Sequence, residues 1–180
     1  MSVARDPEVQ ALLDRQAIQD VLTRYCRGAD RADVSLIADA YHPDATEDHG
    51  GVYSGPASAY VEQMAQILPR AGLMNHMTTN VLIELDGDAA HVESYILTFA
   101  RMKKAGETFD TLTLARAIDR FEKRDGRWKI AARRLVWEWN HEMPFAETWG
   151  RGLIAPDPSV LMRGRKKPDD LVYQKVAHAD

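Results

Sequence analysis

The chain has 180 residues, of which 45% are hydrophobic, and a formal net charge of -4. This length supports one hydrophobic core and leaves little room for a second domain. The acidic balance gives no basic field for a phosphate backbone, which argues against nucleic acid as a partner. Cys26 is the single cysteine, so a disulfide framework is excluded. Because no segment approaches the roughly 20 apolar residues of a membrane span, we expect a cytoplasmic protein.

The first half of the chain predicts three helices. Asp6-Pro7 supplies a cap and a first-turn proline for the first helix, and apolar residues recur at helical spacing from Val9 to Tyr25. Asp33 is the predicted cap of a short second helix. The third helix is expected to start at Gly55-Pro56. Between them, residues 41–53 are interpreted as the end of the second helix followed by a brief extended piece.

From residue 73 the pattern changes to long runs rich in Val, Ile, Thr and aromatic residues, which predict strands. Asp-Gly pairs favour tight hairpins between them, so we expect antiparallel pairing in chain order. Long strands must bend to cover a small helical layer. The predicted fold class is α+β, with N-terminal helices packed on a curved antiparallel sheet that encloses a pocket. The domain is predicted to span residues 1–143, followed by an irregular tail over 144–180 that packs on the domain or on a neighbouring subunit.

Asp30 is the first candidate for a catalytic role. It extends the apolar face of the first helix by one turn beyond Leu22 and Cys26, where an unpaired carboxylate would take up a proton. We predict His76 as its partner. A carboxylate on one imidazole nitrogen fixes the tautomer and raises the basicity of the other, which is typical of a general base. The alternatives are a surface turn residue at Asp30 and a core histidine at His76.

Three further side chains have both a functional and an ordinary interpretation. His49 either gives a proton to a leaving oxygen or is a solvated loop residue. Tyr25 and Tyr95 either pack in the core or hydrogen-bond a substrate oxygen. The segment His42-Pro43-Asp44 has the His-x-Asp spacing of an iron site, but no further ligand appears in the expected context, so we predict no metal.

Two pairs near the end of the last predicted strand are also candidates. Arg133 and Arg134 are adjacent on a strand, so only one of them can face a pocket. Trp137 and Trp139 either line an aromatic pocket or belong to the core or to subunit contacts.

Several short segments together resemble a known family. They are Ala17–Asp20 leading to Gly28–Asp30, Tyr53–Pro56, His76 with Thr79-Asn80 after it, and Arg124–Ile130 followed by Arg133. This combination, over roughly residues 8–140, resembles the SnoaL-like branch of the NTF2-like cone-shaped α+β fold. That branch includes hexachlorocyclohexane dehydrochlorinase, scytalone dehydratase and bile-acid 7α-dehydratase. Because the fold hosts several chemistries, the resemblance is more specific for the fold than for the reaction.

The resemblance implies roles for individual residues. The catalytic aspartate, the histidine base and the cavity arginine of the dehydrochlorinase fall on Asp30, His76 and Arg133. Tyr25 matches a tyrosine of the bile-acid dehydratase, where the dehydrochlorinase has lysine, which argues against a shared substrate. The second catalytic histidine of scytalone dehydratase has no clear match. The resemblance also implies no cofactor and a homo-oligomer, with a trimer favoured over a dimer.

The expected function is a cofactor-independent lyase acting on a hydrophobic, cyclic or aromatic small molecule. In this hypothesis His76, oriented by Asp30, removes a proton, and water, halide or formaldehyde is lost. Arg133 and Tyr25 stabilise the negative charge, and His49 protonates or binds the departing group. The alternatives are an isomerase of the ketosteroid isomerase type and a noncatalytic binding or assembly subunit. The residues expected to contact the substrate are Tyr53, Tyr95, Trp137 and Trp139.

Overall fold

A computed structural model describes residues 6–149, 157 and 159–174. In these ranges the chain forms three α-helices and one six-stranded sheet with the strand order β2-β1-β6-β5-β4-β3. No helix among these residues is long and apolar enough to span a membrane. The helices are α1 (Pro7–Arg31), α2 (Val34–Ala40) and α3 (Ala57–Ile67), and the strands are β1 (Tyr41–Asp48), β2 (Ser54–Pro56), β3 (Met74–Asp86), β4 (Ala89–Lys104), β5 (Glu107–Arg124) and β6 (Arg127–Pro144).

Helix α1 begins as the sequence predicts. The Asp6 side chain accepts the backbone N–H of Glu8 at 2.8 Å, and Pro7 occupies the first turn. Its buried face starts at Ile18, however, and Leu12 in the preceding turns is 66% exposed. Helical spacing of apolar residues therefore predicts the helix correctly but overestimates the length of its buried face.

Asp33 precedes α2 as predicted, but the prediction that its side chain caps the helix is wrong. The carboxylate accepts hydrogen bonds from the Ser35 hydroxyl at 2.5 Å and from Lys167 Nζ at 2.9 Å. A charged partner binds a carboxylate more strongly than a neutral backbone N–H does. The Asp33 carboxylate thus binds the C-terminal segment and not, as local sequence predicts, the backbone N–H groups at the start of α2.

Strand β1 corrects the interpretation of residues 41–53 as the end of the second helix followed by a brief extended piece, because Tyr41–Asp48 is one strand. It pairs antiparallel with β2 and parallel with β6, where Glu47 is the register partner of Arg133. The register shifts between Tyr41 and Thr46, around Pro43, which cannot donate a ladder hydrogen bond. The sheet is consequently mixed: the β1–β6 pair is parallel, and the other neighbouring strands pair antiparallel.

The predicted antiparallel meander of β3, β4, β5 and β6 is confirmed. At the last hairpin, Asp125 and Gly126 both have positive φ, as an Asp-Gly turn requires. Irregular pairing occurs after Thr79, Leu114 and Arg120, and such bulges bend long strands. The sheet can therefore curve around the helices.

The C-terminal residues 163–174 lie against the end of α1. The backbone N–H of Lys167 donates to the Arg31 carbonyl at 2.7 Å, and Arg31 forms an ion pair with Asp170 at 3.4 Å. Lys166 Nζ donates to the backbone carbonyl of Asp30 at 2.9 Å. The division into a domain over 1–143 and a tail over 144–180 stays a prediction.

Asp14 joins α1 to the sheet and generates a pH-dependent prediction. Its carboxylate accepts hydrogen bonds from Lys123 Nζ and Trp128 Nε1, both at 2.8 Å. Burial opposes ionisation, but these hydrogen bonds outweigh it and lower the pKa of Asp14. The stabilisation is present above the unfolded-state pKa and is lost as the pH falls through the lower folded-state value.

We therefore expect Asp14→Asn to lower the free energy of unfolding by about 1–2 kcal/mol at neutral pH. The difference from wild type should shrink below about pH 4, where the wild-type carboxylate itself becomes protonated. Urea unfolding at several pH values measures this, with exposed Asp20→Asn in the same helix as control. A difference that stays constant down to pH 2 would contradict the assignment.

Candidate active site

A cavity of about 270 Å³ lies between the helices and the sheet. This volume is close to the lower end of the roughly 300–1,000 Å³ found for ligand pockets, so a small organic molecule fits best. Its polar groups are few and come from different elements, whereas most of its wall is apolar. The apolar lining consists of Ala29, Ile37, Met64, Ile67, Leu68, Met74, Ile96, Ala115 and Leu135.

His76 and Asp30 lie together at one wall. His76 Nδ1 is 2.7 Å from Asp30 Oδ1, and the backbone N–H of His76 donates to the two carboxylate oxygens at 2.9 and 3.2 Å. Because an ionised carboxylate only accepts, Nδ1 carries the proton and Nε2 is left as the basic nitrogen. The imidazole lines the cavity, while Asp30 lies behind it in a separate groove. The end of α1 and the beginning of β3 thus hold an imidazole in the orientation a base requires.

Lys166 lies on the far side of this pair. Its hydrogen bond to the Asp30 carbonyl places an ammonium group close to the Asp30 carboxylate. Desolvation lowers the pKa of Lys166, although attraction to Asp30 opposes that shift. The predicted irregular tail therefore contributes a charge next to the candidate site.

Arg133, and not Arg134, faces the cavity. Arg133 is 3% exposed, and its Nε and Nη2 donate to both carboxylate oxygens of Asp119 at 2.8 and 2.7 Å. Its guanidinium carbon lies 4.5 Å from the centroid of the Tyr25 ring. Arg134 points outward with a side chain that is 72% exposed and an ion pair to Asp48 at 3.3 Å. The alternation of side chains along β6 explains the difference.

Both members of the Arg133–Asp119 pair are charged. Desolvation would lower the pKa of Arg133, but attraction to the Asp119 carboxylate outweighs it and raises this pKa well above the usual value. Burial raises the pKa of Asp119 and so opposes its ionisation. However, both Asp119 oxygens accept N–H bonds from Arg133, a geometry that requires the carboxylate form.

A second carboxylate–imidazole pair lies at the cavity wall. His49 Nδ1 is 2.7 Å from Oε1 of Glu47, whose other oxygen accepts the Tyr41 hydroxyl at 2.7 Å. The His49 ring stacks on Tyr60 with centroids 5.0 Å apart and meets the edge of Trp137 at 5.7 Å. Like His76, His49 presents its ring to the cavity and has its carboxylate behind it.

The structure also places Tyr25 and Trp137 at the cavity, as expected for site residues. The Tyr25 hydroxyl is 3.3 Å from that of Tyr60. Trp137 Nε1 donates to the carbonyl of Gly50 at 3.0 Å. Gly50 has φ +59°, and a Cβ there would lie 2.6 Å from the indole nitrogen, so this close approach requires glycine.

Three predicted substrate contacts do not line the cavity. Tyr95 precedes cavity-lining Ile96 on β4, and successive strand residues point to opposite faces. The Tyr53 hydroxyl donates to the Pro56 carbonyl at 2.7 Å. Trp139 is 46% exposed and lies in a shallow surface groove with Met102 and Phe109.

The two halves of the possible iron motif have different partners. His42 is buried, and its Nε2 lies 2.8 Å from the Glu122 carbonyl. Asp44 binds Arg124 at the surface at 2.6 Å. In the part of the chain that the structure describes, no group of three or more His, Cys, Asp or Glu side chains is arranged to hold a metal ion.

Sequence reasoning missed Glu47, Asp119 and Lys166. For Asp119 a signal exists. It lies two residues from Ala117 and two residues from Phe121, so all three side chains share the buried face of the strand. Asp30 was identified by the corresponding argument for a helix, from its spacing after Leu22 and Cys26. Glu47 offers no such signal, because its segment has few of the residues that favour strands.

Comparison with known proteins is consistent with this architecture. A type 2 hexachlorocyclohexane dehydrochlorinase (LinA) superposes with a TM-score of 0.70 at 20% identity, covering 78% of this chain and 97% of that one. A protein from Novosphingobium aromaticivorans, provisionally assigned as a scytalone dehydratase, gives 0.66 at 19% identity, covering 85% and 97%. A single-residue variant of Rv3472 from Mycobacterium tuberculosis, a protein of unknown function, gives 0.64 at 28% identity, covering 76% and 78%.

These identities establish a shared fold and leave the reaction open. No curated protein matches the sequence. The family model of the SnoaL-like domain matches residues 10–134, which is most of the chain. The chain therefore belongs to the SnoaL-like domain family, within the NTF2-like fold.

Proposed function

We propose that the protein is a cofactor-independent lyase that acts on a hydrophobic, cyclic or aromatic small molecule. The observation that carries the proposal is the Asp30–His76 pair at the wall of an apolar cavity, with Nδ1 2.7 Å from the carboxylate. Similarity in fold to LinA and to the provisional scytalone dehydratase supports a lyase without identifying the substrate.

In the proposed reaction, His76 Nε2 removes a proton from the substrate. Asp30 keeps the imidazole in the correct tautomer and stabilises the imidazolium that forms. For loss of halide or water, the C–H electron pair forms a carbon–carbon double bond, and the leaving group departs as halide or, once its oxygen is protonated, as water. For loss of formaldehyde the proton comes from a hydroxyl, and a carbon–carbon bond breaks.

Arg133 and Tyr25 are proposed to stabilise the developing negative charge. Two Arg133 nitrogens are engaged by Asp119, which leaves Nη1 as the nitrogen suited to a substrate oxygen. Burial raises the pKa of Tyr25 well above 10, so the phenol keeps its proton and donates a hydrogen bond. Such donors, fixed before the substrate arrives, stabilise charge effectively in an apolar site.

The dyad is tested by substitution. We expect His76→Gln to lower turnover by about 10²–10⁴-fold. Asp30→Asn should lower it by at least about 10²-fold, because the amide favours the wrong tautomer. Purified protein is incubated with cyclic and aromatic alcohols and halides. Mass spectrometry of these compounds then detects loss of water, hydrogen halide or formaldehyde.

His91→Gln, on the exposed side of β4, is the matched control and should retain wild-type turnover. Melting temperatures of all variants show whether the fold persists. Full turnover in His76→Gln would reject the proposed base. Saturable binding of these compounds without turnover by wild type would instead favour a noncatalytic binding protein.

The buried ion pair generates a stability prediction. Asp119→Asn removes the charge that compensates Arg133 and should lower the free energy of unfolding by about 3–5 kcal/mol. Asp48→Asn breaks the exposed pair with Arg134 and should cost at most about 1 kcal/mol. Chemical unfolding of both variants measures this contrast, and equal losses would contradict the importance assigned to Asp119.

A further inference from the structure

We propose that Glu47 and His49 form a second acid–base pair that protonates the leaving oxygen, which makes the protein a dehydratase of β-hydroxy carbonyl compounds. This inference rests on the proposed lyase function and narrows its substrate class. His49 is the acid, and Glu47 is the positioning residue behind it.

Contacts with Glu47, Tyr60 and Trp137 hold the His49 ring at the cavity wall. The Glu47 side chain is 0% exposed, and its two oxygens bind His49 Nδ1 and the Tyr41 hydroxyl. Stacking on Tyr60 and the edge contact with Trp137 restrict rotation of the ring. With Nδ1 engaged, Nε2 is the nitrogen left for a substrate.

The charges at this wall favour a proton donor. Of the residues that the structure describes, Glu47, Asp119 and Arg133 are fully buried charged groups here, and Glu47 and Arg133 are register partners on neighbouring strands. One guanidinium thus compensates two carboxylates. Because buried charge is costly unless balanced, the excess negative charge favours a hydrogen-bond donor beside Glu47, which is the role proposed for His49. The nearby Tyr25, Tyr41 and Tyr60 hydroxyls are neutral, since burial raises the pKa of each.

The basicity of the leaving group determines whether an acid at His49 would speed the elimination. Chloride departs as a weakly basic anion and needs no proton, whereas hydroxide is a poor leaving group until it is protonated. An acid at His49 is therefore useful for loss of water and superfluous for loss of halide. A neighbouring carbonyl acidifies the C–H bond that an imidazole base attacks, and Arg133 with Tyr25 suits the resulting enolate oxygen.

The proposed elimination moves one proton from the substrate to His76 and one from His49 to the leaving oxygen. His76 takes the proton from the carbon next to the carbonyl, and the C–H electron pair forms the new carbon–carbon double bond. The C–O bond breaks, and the oxygen leaves with the proton of His49 as water. His76 ends protonated and His49 neutral, and exchange with solvent restores both.

Two probes with the same carbon skeleton test the inference. They are the aldol adduct of benzaldehyde and acetone and the corresponding chloride, both of which yield benzylideneacetone and are followed by its absorbance. We expect Glu47→Gln and His49→Gln to slow loss of water by about 10²-fold and loss of chloride by less than about 3-fold. His76→Gln should slow both reactions. Glu84→Gln and His91→Gln, a facing exposed pair on β3 and β4, are the controls and should change neither rate.

The outcomes separate the two proposals. Elimination of chloride alone by wild type, or equal slowing of both probes in Glu47→Gln and His49→Gln, would overturn the second acid and leave the lyase proposal intact. Elimination of neither probe by wild type would overturn the assignment to β-hydroxy carbonyl compounds, whereas the lyase proposal is decided by the wider panel of cyclic and aromatic alcohols and halides. If Glu47→Gln does not fold, the selective loss of water elimination in His49→Gln decides the question.

Discussion

The position of the Asp30 carboxylate is the constraint on which both the fold and the candidate site depend. Its oxygens accept the ring and backbone N–H groups of His76, so the last turn of α1 is fixed to the first residues of β3. The backbone carbonyl of Asp30 accepts a hydrogen bond from Lys166 Nζ in the C-terminal segment. Three parts of the chain that are distant in sequence meet at one residue. A change in the packing of α1 would therefore alter the orientation of the His76 imidazole directly.

Local pattern was sufficient to predict the features that local chemistry determines. The cap at Asp6, the Asp125-Gly126 hairpin and the meander follow from turn geometry and periodicity. The Asp30–His76 contact was predicted because an acid that extends an apolar helix face needs a partner. Family resemblance added Arg133 to the predicted site residues. Its inward orientation agrees with the alternation of side chains along β6.

The features that were missed are determined by tertiary context. Residues 41–48 have poor strand propensity and form β1 because both of its edges find partners in the sheet. Glu47 is buried only as a result of that pairing, so its bond to His49 could not be inferred from spacing. Likewise, the Asp33 carboxylate turns away from α2 because Lys167 arrives from the other end of the chain.

The parallel pairing of β1 with β6 has a consequence for the order of assembly. Residues near position 47 meet residues near position 133, so this contact has a much larger sequence separation than the hairpins of the meander. During synthesis β1 can pair with β2 early, but its partner β6 is absent until almost the whole sheet has been made. Closing so long a loop costs entropy. The cavity wall that carries Glu47 and His49 therefore depends on contacts between residues that are far apart in sequence. The buried surroundings of Glu47 are therefore complete only when β6 has joined the sheet, so burial of this carboxylate and closure of the cavity wall depend on the same long-range pairing.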